Sequence, residues 1–437
     1  MPRFMQKLLK RLNIHYLIII LFIVIPLYPK FPLFNVPGTY VSIRLEDFLM
    51  LISFFILVGL ALLKYKIILK NEVSKSIVLF LAAAIVSVLS AIFVTKTVEP
   101  HISILHYLRR IEYFVPFFIA LVTVHKNYNL KVYATCLLMV VIYAFVYGVL
   151  QKYFNLPIVT TQNQEYSKGV ALTYTPGGHL NSTFAGHYDL ASFIILVAPI
   201  FYTSFWVFKN RISKIALCLG ILASLWLLVN SVSRISIVSY LVAVSISLAF
   251  LKKYKAIVIA ILISIIFIAF SSNLIERYSR IIEVTFSKVG SSFVARASEE
   301  KNENVFEDRS TSIRLNVEWP RAMRAFSKNP LVGTGFSSIT LATDNDYLRL
   351  LGELGVVGFL AFLGILISLG RALIRYFPKN RNIGMKEAWV AGYSGSFVGV
   401  CLNAFFIDIF ESSKFAIVFW LFTGIFISMR SRKLFKK

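Results

Sequence analysis

The residues of this chain that could do chemistry are charged side chains beside long apolar runs. A charge in or next to a membrane-spanning segment is costly, so it is a functional candidate by default. These residues are Arg44, Glu46, Asp47, Arg109, Arg110, Arg234, Asp344, Asp346, Arg349, Asp408 and Glu411. We place all of them at the same end of their apolar runs, whereas a secondary transporter usually keeps ionisable residues near the bilayer midplane. Their depth favours chemistry at one membrane face.

Two of these sites also have a purely structural interpretation. Asp344 opens the segment DNDYLRLLGELGVVG at the start of a predicted helix, at or near the N-cap, where the helix dipole favours an acidic residue. We expect this dipole and nearby arginines to hold the pKa of Asp344 down. Arg234 lies in the short turn NSVSRIS and could simply extend its charged end to the membrane interface.

The composition places the chain in a bilayer. Of its 437 residues, 57% are hydrophobic, which is more than in typical soluble proteins. The net charge of +25 is dispersed among loops, which argues against nucleic-acid binding. Cys136, Cys218 and Cys401 lie inside apolar runs without metal-ligand spacing, so we predict no disulfide and no zinc site.

We predict an all-α polytopic membrane protein with about twelve transmembrane helices in a single domain, because runs of about 17 to 25 apolar residues recur from end to end. The predicted spans are residues 14–29, 47–63, 76–94, 104–124, 132–150, 189–208, 214–230, 235–251, 256–271, 351–374, 387–407 and 414–430. The three glycines of the tenth span, at 352, 355 and 358, should allow close helix packing.

The distribution of Lys and Arg predicts the orientation, because short cytoplasmic loops collect positive charge. With the N-terminus inside, most Lys and Arg of the short connections fall on the cytoplasmic side. Both termini are therefore predicted to be cytoplasmic. The long segments 151–188 and 272–350 then lie outside, and the second contains two amphipathic stretches, 274–293 and 313–326, that we expect to lie in the interface, with a kink at Pro320.

Five motifs together resemble the O-antigen ligase and polymerase superfamily, which are membrane glycosyltransferases of the GT-C class acting on polyprenyl-diphosphate-linked glycans. They are IRLEDFL (43–49), STFAGHYDLASF (182–193), SRIS (233–236), RLNVEWPRAMRAFSKNPLVGTGFSSI beginning at Arg314, and DNDYLRLLGELGVVG (344–358). The last two motifs are the specific ones. With the predicted topology, the resemblance covers most of the chain.

The resemblance implies that Arg234 and Arg314 bind the lipid diphosphate without a metal ion or other cofactor, and Arg309 is the next candidate for this role. Two guanidinium groups can each fork onto phosphate oxygens, which agrees with that assignment. Asp344 would be the general base.

Four further residues are supporting candidates. Asn345 and Asp346 would orient the base or the acceptor. His187 and Asp189 could contact the acceptor, although they could equally be polar residues at the interface.

One departure from the family pattern bears on the reaction. The ligases have a His followed by Asn, Ser or Gln, then nine residues, then Gly-x-x-Gly. Here Asn345, Gly355 and Gly358 fit this pattern, but Asp344 stands where the His would be. A carboxylate can still accept the proton of an attacking hydroxyl. An acidic residue at this position resembles the polymerase branch more than the ligase branch.

We therefore expect an inverting polymerase on the outer face of a bacterial cytoplasmic membrane. Its donor and acceptor would be polyprenyl-diphosphate-linked glycans, membrane lipid would surround it, and a chain-length regulator is a further candidate partner. Two alternatives stay open at this point. One is a ligase that transfers finished glycan to lipid A core or another surface acceptor, and the other is a flippase or transporter for lipid-linked sugars.

Overall fold

The computed structural model describes residues 14–28, 32–36, 42–124, 129–156, 174, 178–270, 312–376 and 383–430. This part of the chain is nearly all helical, as predicted. A short antiparallel pair, β1 (Pro32–Asn35) and β2 (Ser42–Arg44), follows the first helix. The helices are α1 (Ile14–Leu27), α2 (Leu45–Lys70), α3 (Glu72–Phe93), α4 (Pro100–Thr123), α5 (Leu130–Phe154), α6 (His187–Ser204), α7 (Arg211–Asn230), α8 (Arg234–Phe250), α9 (Tyr254–Ala269), α10 (Trp319–Lys328), α11 (Asp346–Arg375), α12 (Met385–Asn403) and α13 (Ser413–Arg430).

Each of the twelve predicted spans coincides with one of these helices, and α10 lies in the predicted outer loop. Within the described residues, five helices are long and apolar enough to cross a membrane by length and composition, namely α2, α3, α5, α7 and α11. The helices α1, α8, α9 and α13 are apolar but shorter. The number of helices that cross the membrane stays a prediction.

Two helices form the centre of the bundle. In α6 every residue from Leu190 to Ser204 is buried, and α13 is buried along nearly its whole length. Helix α6 packs against α8 and α12, while α13 packs against α4. In contrast, α2 and α9 expose large apolar side chains such as Phe55 and Val258. An apolar exterior of this kind suits a protein whose surroundings are lipid.

Helix α11 is broken near its start. Gly355 has φ +64, and at this residue the helix divides into a short N-terminal piece and a long apolar piece. Gly333, in the preceding loop, has φ +74, and a Cβ there would lie 2.3 Å from the Glu353 carbonyl oxygen. Both conformations favour glycine. The glycine at 355 therefore allows a break, which the sequence analysis did not predict.

The loop before α11 enters this break through backbone hydrogen bonds. Its amides at 334 and 335 donate to the carbonyls of 352 and 353, and the amides at 356 and 357 donate to the carbonyls of 330 and 331. These bonds satisfy the groups that the break leaves without helical partners. The motifs NPLVGTG and GELGVVG thus form one structural unit. Gly352 packs closely as predicted, because a Cβ there would lie 2.9 Å from the Ala322 carbonyl oxygen of α10.

The second predicted amphipathic stretch is helical. A π-helical segment, Arg314–Glu318, runs directly into α10, and Pro320 lies in the first turn of α10. The Trp319 amide donates to the Arg314 carbonyl, which is the π pattern. Pro320 has no amide hydrogen, so a regular α-helical bond cannot form there, and the kink at Pro320 stays a prediction. The first amphipathic stretch, 274–293, lies outside the described residues.

The orientation leads to a labelling experiment. In a variant without Cys136, Cys218 and Cys401, a cysteine placed at Ser291 or Lys168 should react with a membrane-impermeant thiol reagent in intact spheroplasts. A cysteine at Lys253 or Lys379 should react only after the membrane is opened. This result is expected because positive loops stay in the cytoplasm. Labelling at position 253 in intact spheroplasts would reverse the predicted orientation.

Candidate active site

Arg314 and Asp344 form a direct ion pair. The Arg314 Nε and Nη2 atoms donate to the same carboxylate oxygen, Oδ2 of Asp344, over 3.1 Å and 2.7 Å. Both side chains are largely buried, with 13% and 15% of their surface exposed. Arg314 Nη2 also lies 3.4 Å from the hydroxyl of Tyr188, at the start of α6. The structure thus brings together two of the residues predicted for the site.

The backbone at Asp344 is held in an unusual conformation. Its φ is +49, in the left-handed region that non-glycine residues rarely adopt. The N-cap of α11 is Asn345, whose side chain accepts a hydrogen bond from the Leu348 amide over 3.0 Å. Asp344 therefore precedes the cap and is not itself the cap. Strained residues of this kind occur frequently at functional sites.

Asp408 fixes this conformation from another segment. Its carboxylate accepts the amides on either side of Asp344, from Thr343 over 2.7 Å and from Asn345 over 2.9 Å. Arg349 donates to the same carboxylate over 3.0 Å. Because these bonds clamp both neighbours of Asp344, the direction of the Asp344 side chain depends on Asp408.

The expected low pKa of Asp344 is wrong. Burial raises the pKa of Asp344 to about 6, the positive charge of Arg314 opposes this, and the negative charge of Asp408 adds to it. The helix dipole has its strongest effect within the first turn, and Asp344 lies before the cap. A carboxyl with this pKa accepts a proton more readily than an ordinary aspartate at neutral pH.

The other charged residues predicted at this end of the spans contact one another. The ion pairs are Arg44–Glu46, Arg109–Asp47, Arg110–Glu411 and Arg349–Asp408. Arg349 also approaches Glu353 and Glu411, over 3.4 Å and 3.7 Å. A pairing network of this kind holds neighbouring loops together and lowers the penalty of burying each charge.

Asp346 is buried within this network. Its carboxylate accepts the amides of Ile409 and Phe410, with a distance of 2.9 Å to Ile409. It also lines a small cavity of about 20 Å³ together with Arg110 and Glu411. Asp346 therefore joins the start of α11 to the segment that carries Asp408. Whether Asn345 and Asp346 orient an acceptor stays a prediction.

His187 begins α6, the helix whose second residue is Tyr188. Its ring stacks on that of His179 with 4.1 Å between the centroids. The helix N-cap is Gly186, and a Cβ added there would meet no described residue within 4 Å. Among the described residues, the start of α6 thus has open space beside it, and Asp189 lies in the same first turn. A helix N-terminus beside open space can bind an anion.

The segment before α6 is anchored by hydrogen bonds to three other helices. Ser182 donates to the Ala144 carbonyl over 2.6 Å, and Thr183 donates to the Pro26 carbonyl over 3.0 Å. The buried Lys414 ammonium donates to the Thr183 carbonyl over 2.6 Å. These contacts explain how the motif STFAGHYD fixes the start of α6.

Arg234 is the first residue of α8. Two residues later, Ser236 donates to Asn403, Asn403 donates to Ser192, and Ser192 donates to the carbonyl of Tyr188. This chain of hydrogen bonds joins the start of α8 to the start of α6. Arg314 contacts the start of α6 through Tyr188, and Arg234 begins the helix that this chain of hydrogen bonds joins to α6. Arg309 lies outside the described residues.

Two residues near the pair, Tyr188 and Glu318, were missed as functional candidates. Tyr188 was available within the quoted STFAGHYDLASF motif, and Asp408 was recognised only as a charge at the end of a span. Glu318 lies four residues after Arg314. Its Oε2 atom is buried and has no hydrogen-bond partner among the described residues. The spacing from Arg314 was the available signal for Glu318.

The comparisons with known proteins agree with the motifs. A family model described as O-antigen ligase matches residues 219–363, a stretch that includes Arg234, Arg314 and Asp344. No curated protein matches the chain. The resemblance inferred from the motifs is thus confirmed over residues 219–363, where this chain is similar to the O-antigen ligase family.

Proposed function

We propose that this protein is a membrane glycosyltransferase that polymerises lipid-linked repeat units. Its donor would be a glycan joined through its anomeric carbon to polyprenyl diphosphate, and its acceptor a hydroxyl of another lipid-linked unit. The observation that carries the proposal is the direct contact between Arg314 and Asp344, inside the stretch that matches the family model. This contact puts a phosphate-binding group next to a base.

The division of roles follows from the chemistry of the two side chains. The Asp344 carboxylate takes the proton of the acceptor hydroxyl, and this oxygen attacks the anomeric carbon from the side opposite the diphosphate. The bond to the diphosphate breaks, so polyprenyl diphosphate leaves and the anomeric configuration inverts. Arg314 stabilises the leaving diphosphate through paired N–H···O bonds.

Arg234, at the start of α8, would complete the diphosphate site. The hydrogen bonds that join the start of α8 to the start of α6 support this role. The positive end of the α6 helix dipole would add to the attraction for an anion. His187 and Asp189, in the first turn of α6, would then lie on the acceptor side.

The reaction would take place on the outer face of a bacterial cytoplasmic membrane, with both termini inside. Lipid-linked donor and acceptor would reach the site from the surrounding membrane, and a chain-length regulator would act as a partner. The ligase alternative is supported by the family model, whose description is that of a ligase. The aspartate in place of the ligase histidine supports the polymerase.

A reconstituted assay separates these possibilities. Purified protein in liposomes should convert lipid-linked repeat units into a ladder of longer lipid-linked glycans. Transfer only to added lipid A core would indicate a ligase. Movement of labelled lipid-linked sugar between leaflets without any new glycosidic bond would indicate a flippase and contradict the proposal.

Metal independence is a separate prediction. Asp346 binds backbone amides and Glu353 lies beside Arg349, so neither carboxylate is directed toward Asp344 to share a metal ion with it. Transfer should therefore continue in excess EDTA, because arginines stabilise the leaving group. Complete loss of activity that Mg²⁺ or Mn²⁺ restores would instead assign these carboxylates a metal-binding role.

A further inference from the structure

Glu318 is a half-buried carboxyl beside the proposed diphosphate site, and the mechanism above does not use it. It closes the π-helical segment that begins at Arg314. Glu318 lies four residues after Arg314, and residues four apart on a helix are neighbours on its surface. Glu318 and Arg314 therefore point toward a common region. The buried Oε2 atom of Glu318 has no hydrogen-bond partner in the part of the chain that the structure describes. π-Helical turns occur frequently at functional sites.

We propose that Glu318 must be neutral when the donor diphosphate is bound, so that donor binding takes up one proton at this carboxyl. The inference rests on the proposed function, because it uses the diphosphate role of Arg314. An ionised Glu318 would repel the diphosphate and compete with it for the Arg314 guanidinium. A neutral carboxyl removes both effects and gains an O–H donor that can bind a phosphate oxygen.

The charged surroundings of Glu318 support this assignment. Arg314 and Arg321 act on it from its own helical segment, while Asp344 and Asp408 act from the loops packed beside it. Burial raises the pKa of Glu318 to about 7, and the negative charge of Asp344 is the second cause of this rise. The positive charge of Arg314 acts in the opposite direction. The hydroxyl of Tyr188 also lies within the electrostatic reach of Glu318. A bound diphosphate would add further negative charge and favour the neutral form.

The direction of the pH effect follows from proton linkage. If the bound form carries one more proton than the free form, affinity for the donor falls as pH rises. Above the pKa of Glu318, each unit of pH should weaken binding by up to about tenfold. Asp344 contributes a separate step near its own pKa of about 6.

The test measures binding of farnesyl methyl diphosphate to the full-length protein across this pH range. This probe has both phosphates esterified, so neither has a second ionisation, and it carries no glycan to transfer. With the wild-type protein, the dissociation constant should rise steadily from about pH 7 to about pH 9. Calorimetry in two buffers with different ionisation enthalpies should show proton uptake on binding near pH 8.

Variants make the assignment specific. Glu318→Gln should bind the probe with little pH dependence above about pH 7, while keeping the lower step of Asp344. Glu318→Asp keeps a carboxyl and should retain the pH dependence. Glu72→Gln is the matched control, because Glu72 is exposed and pairs with Arg375 elsewhere on the surface.

The outcomes separate the inference from the proposed function. The role of Glu318 would be overturned if the dissociation constant of Glu318→Gln rose with pH as steeply as that of the wild type. It would also be overturned if the affinity of the wild type did not depend on pH above about 7. Unchanged probe binding by Arg314→Ala would instead overturn the diphosphate site itself. Loss of binding in Arg314→Ala, with no difference between Glu318→Gln and Glu72→Gln, leaves the proposed function standing and removes only the inference.

Discussion

Asp344→Asn should lower the rate of glycan transfer by about 10² to 10⁴-fold, the range typical for removal of a general base. Asparagine keeps the size of the side chain and can still bind Arg314 through its amide oxygen, but it cannot accept a proton. The protein should therefore insert and fold normally. The measurement is the initial rate of product formation in liposomes at saturating donor.

The pH dependence gives a second readout of the same residue. Burial raises the pKa of Asp344 to about 6, and the base must be ionised to act, so wild-type turnover should rise with pH through about 6 and then level off. Asp344→His, which restores the ligase pattern, should keep measurable transfer with a rise through about pH 6.5 if the histidine is unperturbed. Near-normal turnover of Asp344→Asn would show that Asp344 only shapes the start of α11.

Arg314→Ala should abolish transfer, and Arg234→Ala should do the same. Each change removes charge-assisted hydrogen bonds to the leaving diphosphate, which are among the stronger polar contacts in proteins. Arg314→Lys should recover only part of the rate, because an ammonium group cannot reproduce the planar fork. The rate and the apparent affinity for the donor should be measured together, with membrane insertion checked by protein yield.

Arg375→Ala is the matched control for these changes. Arg375 pairs with Glu72 at an exposed position, where a single ion pair contributes little. Full activity of Arg314→Lys would argue against paired hydrogen bonding, and full activity of Arg314→Ala would exclude any role in transfer. Arg309 would then be the next candidate for the diphosphate site.

The helices could be predicted from the sequence because each apolar run is long and bounded by charges. The positions of all twelve predicted spans agree with helices, and the second amphipathic stretch of the predicted outer loop is helical. The break at Gly355 was not predicted, since glycine in an apolar helix is equally consistent with close packing. Only the contact with Gly333 shows that the two glycine motifs form one unit.

The site was predictable in part. Arg314 and Asp344 were identified by their motifs, and the structure puts them in contact. The pKa of Asp344 could not be inferred, because burial by neighbouring loops outweighs the charge of Arg314. The clamp by Asp408 joins segments far apart in the chain, and such a contact leaves no local pattern. The π-helical turn that carries Glu318 also has no periodic signature in the sequence.

The most direct test of the central claim is a structure of the Asp344→Asn variant with a bound lipid-linked glycan. We expect the diphosphate within about 2.7 to 2.9 Å of the Arg314 guanidinium, the usual distance for a charge-assisted N–H···O bond. The side chain at position 344 should lie beside the anomeric carbon, on the face opposite the diphosphate. A diphosphate bound away from Arg314, or a glycan whose anomeric carbon faces away from position 344, would contradict the proposed active site.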